Sequence, residues 1–113
     1  MTGGKGNAQK TGAAKPLARL ANSLTHGNVW LSVLSIIRRK KRVYAYVLDE
    51  EIEKGFAFRP NRVMVYLVLY KLEGEGLIES SFEGRRKYYA LTPSGRRALE
   101  AGRERLSSLA KSL

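Results

Sequence analysis

The sequence predicts a mainly α-helical domain with one small β-hairpin. Three observations carry this. Apolar residues return at helical spacing in four successive segments and again over residues 93–113. One stretch only, residues 77–91, alternates about a Glu-Gly step. The strongest runs of cations fall at junctions between these segments. Bulk composition agrees: 113 residues make one small domain, and a 43% hydrophobic content is too high for wholesale disorder.

Residues 1–15 are rich in Gly, Lys, Ala and Thr and read as a disordered basic tail, leaving residues 16–113 as the folded domain. Leu17, Leu20, Ala21 and Leu24 then trace a short amphipathic helix with Pro16 near its first turn. Asn28 is placed to cap the next helix, 29–37. That helix is apolar most of the way round and should be central. It runs out in Arg38-Arg39-Lys40-Lys41-Arg42, where cations also suit the helix dipole. A third helix is expected from about Tyr44 to Lys54, its acids on the far side and near its end, with Gly55 as the stop. Asn61 caps a fourth helix whose buried face is Val65, Leu69 and Leu72, and Gly74 and Gly76 end it. Leu77 to Phe82 and Lys87 to Leu91 form the hairpin about Glu83-Gly84. Thr92 and Pro93 are a cap and first residue for the last helix. Three central helices followed by a two-stranded hairpin match the winged helix-turn-helix plan, here with added N- and C-terminal helices. In that plan a recognition helix enters the major groove of DNA and the hairpin, or wing, lies beside it.

The charge agrees with such a role. Twenty-one Lys and Arg against ten Asp and Glu give +11, a balance that points to a polyanionic partner. Enzyme classes fall away. There is no cysteine and one histidine, His26, so neither a zinc site nor a histidine relay can be assembled. Asp49, Glu50, Glu51 and Glu53 are nearly consecutive and point around a helix instead of converging on a metal. Gly3, Gly4 and Gly6 follow no strand, so they make no phosphate loop, and no cofactor is implied. No apolar run approaches the roughly 20 residues of a membrane span, and the first fifteen residues lack the apolar block of a secretory signal.

Residues 65–99 carry a more specific likeness. Leu72-Glu73, Gly76-Leu77-Ile78, Tyr88-Tyr89 and Leu91-Thr92-Pro93 with Gly95 resemble the recognition helix, wing and last-helix entry of PadR-type transcriptional regulators. The likeness extends more loosely over 28–113, and the single terminal helix resembles the small subclass. There are departures. Ala45 stands where the family has Gly before the helix-two tyrosine, and Val47 where it has Glu. Val63-Met64 replaces a Gly-Thr pair, and Leu67 replaces a Pro. The base-facing segment is therefore the least family-like, and no operator sequence transfers. The resemblance implies a cytoplasmic, nucleoid-associated repressor acting as a homodimer on half-sites about one helical turn apart. It also implies that a small-molecule effector could act, with Trp30, Tyr44 and Tyr46 as available walls, although such residues more often serve a core.

The residues expected to meet double-stranded DNA are Arg59, Asn61, Arg62, Val63, Tyr66, Tyr70 and Lys71 around the fourth helix, and Arg85, Arg86 and Lys87 on the wing. Arg62 suits a guanine edge, Lys71 a phosphate, and Asn61 a cap more than a base. Val63 and Leu67 make this face more apolar than a phosphate surface needs; thymine methyls or another subunit would suit them. The wing cations also suit edge protection. Leu99, Gly102, Leu106, Leu109 and Leu113 follow the spacing of a coiled-coil seam. With Leu17, Leu20 and Leu24 they exceed what one small core should hide, so both terminal helices, the one carrying 17–24 and 93–113, are expected to pair between two copies about a two-fold axis. The alternative function is a sequence-nonspecific architectural DNA-binding protein. A winged-helix module for RNA or protein is a third.

Overall fold

The computed structural model, which describes residues 14–113, has five α-helices and a three-stranded sheet. The helices are α1 (Ala14–Leu24), α2 (Val29–Lys40), α3 (Leu48–Phe56), α4 (Arg62–Gly74) and α5 (Pro93–Ser112). The strands are β1 (Val43–Tyr44), β2 (Ile78–Glu83) and β3 (Arg86–Leu91), in the antiparallel order β1-β3-β2. Residues 1–13 of the expected tail lie outside the described residues. Ala14 and Lys15, assigned to that tail from the sequence, instead open α1.

Helix α2 is the centre, as its all-round apolar sequence requires. Val33, Leu34 and Ile37 are wholly enclosed, and α3, α4, α5 and β3 all pack on this helix. Buried Ser32 is satisfied by donating to the Val29 carbonyl at 2.8 Å. Asn28 occupies the N-cap position but does not cap. Its side-chain oxygen accepts from Trp30 Nε1 at 3.2 Å, and its amide donates to the Ser23 carbonyl.

Two boundaries differ from the sequence expectation. The third helix does not begin at Tyr44: Val43 and Tyr44 pair with Tyr89 and Tyr88 as a third strand, and a 3-10 turn, Ala45–Val47, leads into α3 at Leu48. Asp49, Glu50 and Glu51 thus occupy the first turn of α3, where the dipole favours carboxylates, not its end. Gly55 does not stop that helix. A Cβ there would lie 3.0 Å from an Arg39 guanidinium nitrogen and 3.2 Å from Ile36, so the glycine lets α3 approach α2 closely. Ala57, at φ +61°, makes the left-handed exit instead.

The end of α4 follows a Schellman pattern. The Leu77 amide donates to the Leu72 carbonyl at 2.9 Å, with Gly76 left-handed at φ +77°. Thr92 caps α5, its hydroxyl accepting from the Gly95 amide at 3.0 Å and donating to the Gly76 carbonyl at 2.6 Å. The start of α5 is thereby pinned to the end of α4. Gly95 is required at that seam, because a Cβ would collide with the Leu77 carbonyl oxygen.

Candidate nucleic-acid interface

Helices α3 and α4 form the helix-turn-helix, joined through Ala57–Asn61. Asn61 is the N-cap of α4, accepting from the Val63 and Met64 amides at 2.7 and 3.3 Å. Val65, Leu69 and Leu72 are buried, as their spacing requires. Val63, Tyr66, Leu67 and Tyr70 are left exposed.

The hairpin turn is Gly84–Arg85, one residue later than the sequence suggests, because Glu83 pairs with Arg86 inside the ladder. Gly84 takes φ +62° at the first turn position, where a two-residue hairpin favours glycine. This shift separates the three wing cations. Arg85 forms the tip, while Arg86 and Lys87 sit on opposite faces of β3. Arg86 lies over the Tyr44 ring at 4.9 Å. Lys87 follows the row of buried Tyr89 and Leu91 and reaches Glu73 on α4 at 3.9 Å.

Arg59 and Arg62 converge on Asp49. Their guanidinium nitrogens are 3.2 and 3.4 Å from its Oδ2, and Arg59 also meets Glu50 and Glu53. The Asp49 side chain is only 6% exposed. Burial pushes its carboxyl up, but the Arg59 hydrogen bond, the Arg62 charge and the Glu50 amide together hold it below the ordinary range. Arg62 also stacks over Tyr46 at 4.2 Å. Among the described residues, Lys71, Arg85 and Arg86 form no ion pair.

Sequence reasoning missed the element that joins helix and wing. Tyr46 beneath Arg62 lies 6.0 Å from Tyr44, and Tyr44 lies 5.7 Å from Tyr88. Arg86 covers Tyr44, and Arg42 covers Tyr88 at 4.0 Å while bonding Glu83 at 2.8 Å. A continuous ladder of aromatic rings and guanidinium groups therefore runs from the start of α4 to the wing. Of these rings only Tyr44 and Tyr88 stand on paired strands, while Tyr46 lies in the 3-10 turn, so no single spacing in the sequence marked the ladder.

The remaining candidates divide. Leu99 is buried in the domain core, and a Cβ on Gly102 would meet Leu31 at 2.9 Å and Trp30 at 3.2 Å. These two positions, expected in the seam between copies, serve instead to pack α5 on α2. Leu17, Leu20, Leu24, Leu106, Leu109 and Leu113 are exposed, and α1 buries none of its residues. A half-open apolar pocket of about 550 Å³ lies between the start of α2 and α4, lined by His26, Trp30, Met64, Val68, Lys71 and Leu77 among others. Tyr44 and Tyr46 do not line it. No described helix is long and apolar enough to cross a membrane.

The sequence profile described as "Transcriptional regulator PadR-like family" matches residues 33–101. Among solved structures, a PadR-like transcriptional regulator from Bacillus cereus is 28% identical with a TM-score of 0.65, over 77% of this chain and 88% of that one. A PadR family transcription regulator from hypervirulent Clostridium difficile R20291 is 26% identical with a TM-score of 0.68, over 75% and 93%. A winged-helix DNA-binding protein from STIV shares the fold at 19% identity, with a TM-score of 0.67 over 75% and 92%. No curated protein sequence matches significantly.

Proposed function

This chain belongs to the PadR-like family of transcriptional regulators, and from that premise we propose that it binds double-stranded DNA sequence-specifically, as a homodimeric repressor that blocks promoter access. The observation that carries this reading is the ladder joining Arg62, Tyr46, Tyr44 and Arg86. It makes one surface of the recognition helix and the wing, with Arg85 at the tip and Lys71 further along α4. Guanidinium groups stacked on rings are held in place yet keep their N–H edges for phosphate oxygens. Arg59, Arg62, Lys71, Arg85, Arg86 and Lys87 are the proposed contacts, with Asn61 positioning the helix and Val63, Tyr66 and Tyr70 facing the bases. The site of action is the nucleoid in the cytoplasm.

The dimer reading has its own support. Leu106, Leu109 and Leu113 extend α5 beyond the core, and α1 leaves Leu17, Leu20 and Leu24 exposed. Leu24 and Leu106 share one groove of about 360 Å³. Two copies related by a two-fold axis would bury both stripes. Leu106→Glu is expected to yield monomers on a sizing column, and a persisting dimer would move the interface elsewhere.

Selection of bound fragments from genomic DNA at physiological salt tests the function directly. Recovery of a common pseudo-palindrome, with half-sites about one helical turn apart, is expected. Retention of all fragments alike, with steep salt dependence, would favour an architectural role.

A further inference from the structure

Val63, Leu67 and Tyr70 recur at i, i+4 and i+7 on α4, opposite the buried row Val65, Leu69 and Leu72. They are 66%, 52% and 78% exposed. The groups that could read a base edge by hydrogen bonding are drawn away from this row. The Asn61 side-chain oxygen is occupied by the two amides it caps. Arg62 is turned toward Asp49 and lies over Tyr46. Lys71 stands on the flank with Met64 and Val68, at the rim of the apolar pocket. Beyond the Asn61 amide nitrogen at the helix start and the Lys71 ammonium on the flank, the polar side-chain groups on the outward side are the tyrosine hydroxyls.

An exposed apolar row on a helix needs a partner, and the surrounding charge selects it. A second copy of this face would set its own cations against identical ones. A duplex would neutralise them. The apolar group that a major groove presents is the C5 methyl of thymine. We infer that Val63 and Leu67 read thymine methyls, so that thymine-bearing steps, not guanine, determine the specificity of this recognition helix. The inference rests on the proposed DNA-binding function.

Uracil pairs as thymine does and lacks only the methyl. Two pools of randomised duplex, one made with thymine and one with uracil, compete for the full chain at physiological salt. Burial of one methyl-sized group corresponds to about four-fold in affinity, so the thymine pool is expected to be retained at least about four-fold over the uracil pool. A chain carrying Val63→Ala with Leu67→Ala changes only exposed positions. It should lose most of the preference for thymine, read as the ratio of the two pools retained by the same chain. Equal retention of both pools by the unaltered chain overturns the inference and leaves DNA binding standing. Equal retention, together with a double variant that runs smaller on a sizing column, assigns the row to a second copy. Retention of neither pool overturns the proposed function itself, and this inference with it.

Discussion

Helices α2 and α4 are nearly equal in length, and both are built largely of apolar side chains, yet they fare differently. Helix α2 buries Val29, Val33, Leu34, Ile36 and Ile37, and even Ser32 and Ser35 are enclosed. Helix α4 buries Val65, Leu69 and Leu72 and leaves Val63, Met64, Tyr66, Leu67 and Tyr70 exposed. Position in the layers makes the difference. Partners cover α2 from α3, α4, α5 and the sheet, while α4 lies at the edge with only one side against the core. Apolar content alone therefore does not mean core. On α2 it holds the domain together; on α4 the surplus faces outward, beside a ladder of cations, and is the surface proposed to read DNA.

The contrast can be broken by substitution. Leu34→Ala in α2 should cost about 2–5 kcal/mol in urea unfolding, through the forfeited transfer energy and a residual cavity. Leu67→Ala in α4 should change stability by less than about 0.5 kcal/mol. A large cost at Leu67 would mean that the outward row is packed within the protein.

Changing Arg85, Arg86 and Lys87 together to Ala should weaken every duplex about 10–100-fold and flatten the salt slope by up to about 0.9 for each phosphate no longer neutralised. Binding measured across a salt series checks this. Unchanged affinity would remove the wing from the interface. An equivalent flattening is not expected from Leu67→Ala, because that side chain carries no charge.

Asp49→Asn should cost about 1–2 kcal/mol, since it weakens the charge-assisted bonds that hold Arg59 and Arg62. The sign of its pH dependence follows. The folded carboxyl lies below its ordinary value of 3.8, so its stabilisation is present above that value and disappears as pH falls through the folded pKa. Denaturation in urea should show the unaltered protein and the variant separated near neutral pH and converging in strong acid. A constant gap across the series would place the stabilisation outside the ionised carboxylate.

Most of the helical frame was legible because burial follows period. Val65, Leu69 and Leu72, the Asn61 cap and the Thr92-Pro93 entry to α5 announced themselves at fixed spacing. The likeness in 65–99 was legible too, and the family match confirms it. What escaped was set by tertiary contact. Val43 and Tyr44 form a strand only because β3 lies beside them. Gly55 reads as a helix stop until Arg39 and Ile36 are seen against it. Leu99 and Gly102 share the spacing of Leu106 and Leu109, and only the path of α2 separates a core half of α5 from an exposed half. The commitment of Arg59 and Arg62 to Asp49 was hidden for the same reason, since the carboxylate is distant in sequence.

The outward side of α4 is the central claim, and the absence of cysteine from the chain allows a direct measurement. With Leu67→Cys, a single thiol reports from that face alone. Its alkylation rate by iodoacetamide is compared with and without a bound duplex from the genomic selection, with Ala101→Cys, exposed on the other side of α5, as the reference. The duplex should slow modification at position 67 by about tenfold or more and leave position 101 unchanged. An unaltered rate at position 67, in a complex shown to be fully bound, would contradict the account.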